Sequence, residues 1–257
     1  ATVISQYVSG IGITIYALAK SSHFRIKLKH LKFDINIVKE LANLSILTAL
    51  QQSVMNFGIL LVQGLVNSFG TVVMAAFAAA VKIDTLAYSP VQDFGNAVST
   101  FVAQNYGAGK HRRIKDGWKQ SMIAASVFCV CVSAVVFIFA ERFMGLFVSD
   151  GTEIIKVGAG YLRIEGSFYI GIGILFLLYG FYRAVGKPEM SLILTIISLG
   201  TRVVLAYALS AIPKIGVIGI WISVPIGWFL ADMTGLLYMK KLPLLKSRFR
   251  KKYDLHI

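Results

Sequence analysis

TVVMAAFAAAVKIDTLAYSPVQDFGNAVSTFVAQNYGAGKHRRIK, residues 71–115, sets an apolar run of 36 residues (71–106) against a cluster of cations. The order of those two parts decides the fold. At 1.5 Å per residue such a helix is about 54 Å long, against about 30 Å for a bilayer's hydrocarbon core, so it must tilt, bend or protrude. Pro90 is the predicted bend, because it removes the hydrogen bond to the carbonyl of Leu86. Gly107 and Gly109 are predicted to close the helix, and residues 110–117 to form a basic amphipathic connector.

Working outward, further apolar stretches cover 40–69, 118–139, 153–183, 190–212 and 216–239, which makes six spans. Residues 1–19 read as the end of another membrane helix, so the chain is expected to start inside a larger protein. Of 26 Lys and Arg residues, 20 fall in four connections: six in 20–39, five in 110–119, two in 183–187 and seven in 240–252. The intervening connections hold only Arg142 and Lys214. The positive-inside rule places the basic connections, and with them the C-terminus, in the cytoplasm. Four regions follow: the end of a helix (1–19), a cytoplasmic linker (20–39), a lobe of six transmembrane helices (40–239) and a basic tail (240–257). In the linker, Phe24, Ile26 and Leu28 alternate with cations, a period of two that predicts an extended segment.

With 56% apolar residues, the chain is a polytopic all-α membrane protein. The net charge of +14 reflects cations beside span ends, where they meet anionic lipid and fix topology; no nucleic-acid motif accompanies them. Cys129 and Cys131 lie two apart on one helix and point to different sides, which excludes a zinc site or a disulfide framework. No metal site, cofactor or catalytic constellation is expected, and the protein is read as a non-enzyme.

Polar side chains at bilayer depth are costly and usually face a bundle interior or a water-filled cavity. In the second span Ser45, Gln52, Asn56, Gln63 and Asn67 fall within about 60° of arc, a cavity lining or a row of interhelical hydrogen bonds. In the third, Lys82, Ser89, Asp93, Asn96 and Thr100 share a face of similar width. Lys82 and Asp93 lie about 16 Å apart along the helix and cannot pair. Asp84 points elsewhere and is expected to neutralise a cation on a neighbouring helix. The fifth span carries Tyr161, Glu165 and Tyr169 at i, i+4 and i+8, with Arg163 opposite. The sixth carries Ser191, Thr195, Ser198 and Arg202 on one side, and the seventh carries Asp232. Arg202 is expected to pair with Asp232 or Glu165, as a structural or a transport element. Trp221 and Trp228 read as packing residues.

Residues 76–113, and above all Gln104, Asn105, Gly107, Ala108, Gly109 and Lys110, resemble the eighth helix and following loop of multidrug and toxic compound extrusion (MATE) transporters. Residues 1–9 resemble the family's sixth helix, and Tyr182, Arg183, Gly186 and Lys187 its loop between helices ten and eleven. The resemblance implies two pseudosymmetric six-helix lobes, of which this chain holds the end of the first and all of the second. It also implies export of cationic or amphipathic compounds against inward protons or sodium, across the cell membrane and together with an N-terminal lobe. Some branches carry acidic residues in the seventh and tenth helices, at positions that register near Met55 and Ile172 here, both apolar. Candidate pathway residues are Gln52, Asn56, Gln63, Lys82, Ser89, Asp93, Asn96, Glu165, Arg202 and Asp232. Alternatives are a flippase of lipid-linked sugars, which would need more cavity arginines than Arg202, and a non-transporting membrane subunit.

Overall fold

The computed structural model describes residues 2–20, 34–148 and 151–242. Among them run eight helices: α1 (Thr2–Lys20), α2 (Ile35–Asn67), α3 (Thr71–Gly107), α4 (His111–Phe147), α5 (Thr152–Gly166), α6 (Tyr169–Ala184), α7 (Pro188–Ser210) and α8 (Val217–Lys241). The chain groups into two compact units, Ala1–Ser45 and Ile46–Ile257. The first contains α1 and the opening turns of α2, where Asp34 Oδ1 accepts the Asn36 N–H at 2.8 Å and caps the helix. That cap starts α2 five residues ahead of the predicted 40. The alternating Phe24, Ile26 and Leu28 of the linker, and the basic tail beyond 242, lie outside the described residues.

Ser45–Asn67 of α2, together with α3, α4, α7 and α8, are each long and apolar enough to cross a membrane, and α5 with α6 makes a sixth when the bent pair is counted as one span. The number of spans is as the hydropathy predicts. Two of them differ in form. The expected fifth span, 153–183, is two helices bent by 53° at Ser167 and Phe168. Gly166 and Ser167 account for the break: glycine is a weak helix former, and the Ser167 hydroxyl donates to the Arg163 carbonyl at 2.5 Å. The fourth span, predicted as 118–139, is a 37-residue helix that takes in residues 111–117 of the basic connector. Hydropathy marks where a helix leaves the membrane, not where it ends, and nothing in His111–Gly117 stops it. By contrast α3 continues through Pro90 as a single helix.

The basic-side helix ends close alike. Lys110 N–H reaches the Asn105 carbonyl at 2.8 Å and Gly109 N–H the Tyr106 carbonyl at 3.0 Å, with Gly109 at φ 68°, a conformation costly for any side chain. Lys187 and Gly186 repeat the pattern on Tyr182 and Arg183 at 2.9 and 3.2 Å.

Helix α3 packs against α4, α5 and α6, while α6 also meets α4, α7 and α8. The core forms two layers along the bundle. One holds Phe77, Ala80, Met144, Tyr161, Tyr169 and Trp221; the other holds Val102, Ala125, Leu178, Phe181, Leu194 and Trp228. The α5–α6 break falls between them, so α5 belongs to the first layer and most of α6 to the second. The α3–α6 crossing brings backbone against backbone: a Cβ on Gly95 would stand 2.6 Å from the Phe176 carbonyl oxygen, and one on Gly180 would collide with the Gly95 carbonyl oxygen. Trp221 and Trp228 are buried, as packing residues should be. Cys129 is buried and Cys131 exposed, both as free thiols.

Candidate functional site

The lobe keeps its polar membrane residues in two places, one inside and one on its surface. The inner place centres on Asp84, which is 2% exposed. Its Oδ2 accepts the Tyr161 hydroxyl at 2.9 Å, and its Oδ1 accepts the Tyr169 hydroxyl. Aromatic packing fixes Tyr161: its ring meets Phe77 edge-on at 5.5 Å and Trp221 at 4.9 Å, and Phe77 stacks on Trp221 at 5.5 Å and 9°. Glu165 is buried between the two tyrosines in sequence, and its Oε2 has no hydrogen-bond partner among the described residues. Arg202 on α7 also has a buried Nε without a hydrogen-bond partner among the described residues.

These contacts revise two expectations. Asp84 forms no ion pair among the described residues, and its direct partners are two tyrosine hydroxyls. Neither of the expected Arg202 pairs, with Asp232 or with Glu165, is among the ion pairs that the described residues form. The ion pairs within 4.0 Å that the described residues form are Arg163–Glu141 at 3.0 Å and Arg112–Asp116 at 3.9 Å, both at the surface. Arg163 therefore lies opposite the Tyr161–Glu165–Tyr169 row, as its phase predicts. Asp232 is buried on α8 across from Gly171, and its Oδ1 has no hydrogen-bond partner among the described residues. Ser191, Thr195 and Ser198 are buried as well. Thr195 Oγ1 approaches the Tyr179 hydroxyl at 3.0 Å and the Ser191 carbonyl at 2.9 Å, so this row bonds α7 to α6.

The outer place comprises the faces of α2 and α3. Gln52, Asn56, Lys82, Ser89, Asp93 and Asn96 are exposed and Gln63 is half-buried. The Ser89 hydroxyl donates to the Thr85 carbonyl at 2.6 Å and is satisfied by its own helix. Lys82 and Asp93 join no ion pair among the described residues. Apolar residues on the same helices, Phe57, Leu60 and Leu86 among them, are exposed too. What helical phase misses is the inner cluster. The sequence signal for that cluster is the i, i+4, i+8 row of Tyr161, Glu165 and Tyr169 laid across a Gly-Ser pair, which together mark a broken helix with a polar inner edge.

A protein-family model described as MatE matches residues 46–208. Over 253 residues the chain is 25% identical to the "Probable multidrug resistance protein NorM" of Thermotoga maritima, an alignment covering 98% of this chain and 53% of the relative. Among solved structures, a multidrug resistance MATE family transporter of the MOP superfamily in its outward-facing conformation superposes with a TM-score of 0.85 at 22% identity, covering 93% of this chain and 54% of that one. A MOP superfamily transporter from Pyrococcus furiosus, for which a binding pocket of reverse polarity is described, superposes with a TM-score of 0.87 at 23% identity, covering 96% of this chain and 56% of that one. The chain thus spans about half the length of the relative and of both solved chains.

Proposed function

The chain belongs to the MatE family, and from that premise we propose that it is the second lobe of a two-lobe exporter of small cationic or amphipathic compounds, driven by inward protons or sodium. The observation that carries the reading is the polar face of α2 and α3. A lone lobe leaves Gln52, Asn56, Asp93 and Asn96 exposed within spans that hydrocarbon would penalise. Such a face requires water or a second lobe opposite it, and a cleft between lobes supplies both. Amides offer donors and acceptors to varied ligands, while Asp93 supplies a negative charge. The multidrug resistance named for the relative from Thermotoga maritima supports the substrate class. The uneven distribution of cations supports a cell-membrane orientation with the basic connections and the C-terminus in the cytoplasm.

For the coupling ion the reading assigns Glu165, a buried carboxyl with an unpartnered oxygen, with Asp232 as a second on α8. This places the coupling role on Glu165, away from Met55 and Ile172, the apolar positions at which the acidic residues of some family branches register.

The experiment is transport by the intact protein in liposomes loaded with a fluorescent organic cation, with proton and sodium gradients imposed one at a time. Export that follows one gradient and stops when it is collapsed is the expected result. Absence of cation transport under either gradient overturns the proposal, as does movement of lipid-linked sugars in its place.

A further inference from the structure

We propose that Asp84 is a positioning residue that holds the α5–α6 span in its bent form by clipping together the two sides of the break. The geometry is specific. Tyr161 lies on α5 before the break and Tyr169 is the first residue of α6 after it, yet both hydroxyls donate to the one carboxylate of Asp84, one to each oxygen. Eight residues apart in a straight helix, their backbones would be separated by about 12 Å. Two hydroxyls bonded to the two oxygens of one carboxylate lie within about 8 Å of each other. The side chains can span part of that difference, and the two hydrogen bonds, one from each side of the 53° bend, resist its opening.

The surroundings hold both ends of the clip in place. Asp84 rises from α3, a helix anchored against α6 at the Gly95–Gly180 crossing. Tyr161 is locked by Phe77 and Trp221. Tyr169 lies in the same core layer as Tyr161, and the residues between the two helices, Ser167 and Phe168, are exposed. Glu165 sits between the two clipped tyrosines with an unpartnered oxygen, so the angle that Asp84 sets also sets where Glu165 points. The inference concerns helix shape and holds whatever the exporter carries.

The test uses the intact transporter with Cys129 and Cys131 replaced by alanine. Spin labels are attached to Glu153→Cys on α5 and Glu189→Cys, just past α6, both exposed positions. Full straightening of two helical arms of that length would lengthen the separation by about 5 Å. With Asp84 present, a single narrow distance is expected. Asp84→Asn, and separately Tyr161→Phe combined with Tyr169→Phe, should shift or broaden that distance in the same way. Tyr169→Phe alone removes one hydroxyl from a buried ring and leaves its packing intact, so it decides the matter if Asp84→Asn yields no folded protein. A Tyr169→Phe distance identical to that of the parent overturns the clip.

Discussion

Asp93→Asn is expected to leave the intact exporter in the membrane and to abolish its export of organic cations. The substitution keeps size and hydrogen-bonding capacity and removes only the charge. Asp93 is exposed on the α3 face and joins no ion pair among the described residues, so no buried counter-ion is left stranded when it is neutralised. Lys82 is about 16 Å away along the same helix and cannot compensate. Hydrogen bonds to charged groups contribute about 1.5–3 kcal/mol, so binding of a cation at this point should weaken roughly 10- to 100-fold. Efflux of a fluorescent cation from everted vesicles, normalised to protein in the membrane, checks it. Parental efflux in the variant removes Asp93 from the pathway, and loss of the protein from the membrane shows that its role is structural.

The largest effect on stability is expected at the α3–α6 crossing. Gly180→Val places a branched side chain where even a Cβ would collide with the Gly95 carbonyl oxygen, and Gly95→Val drives one against the Phe176 carbonyl. Backbone cannot swing aside as a side chain can, so the helices must separate along both core layers. Overpacking of an ordinary core costs about 1–3 kcal/mol, and here the cost should exceed that range, enough to leave little folded protein. Gly64→Ala is the control, since nothing lies within 4 Å of its added methyl. Detergent-solubilised protein surviving size-exclusion chromatography should collapse for both valine variants and stay at the parental level for Gly64→Ala.

The sequence carries much of this architecture because hydropathy and charge each encode a single large effect. Six spans and their alternating basic connections can be read from the cost of putting peptide and charge into hydrocarbon. Helical phase likewise separates the outward faces of α2 and α3 from Asp84 without any knowledge of neighbours. What phase cannot supply is the identity of the neighbour. Asp84 reads as a residue in want of a cation, because charge is what a sequence advertises, whereas its direct partners are two neutral hydroxyls on another span. The break at Ser167 is hidden for a related reason: residues 153–183 stay apolar through it, and hydropathy is blind to a local loss of backbone hydrogen bonds. The extension of α4 to His111 is invisible to the same measure, since a helix outside the membrane needs no apolar residues.

The most direct measurement of the central claim, that α2 and α3 present one water-lined path, is the reactivity of single cysteines in the intact transporter lacking Cys129 and Cys131. Cysteines at Gln52, Asn56 and Asn96 should react with a small hydrophilic thiol reagent, and an organic cation in excess should slow the reaction at Asn96. Cysteines at Val127 and Ile138 on α4, which are 59% and 67% exposed, face lipid by this account and should stay unreactive. Reaction on both helices of the polar face, with silence at the two α4 positions, is the predicted result. Equal reactivity at all five positions, or none at the polar three, would contradict it.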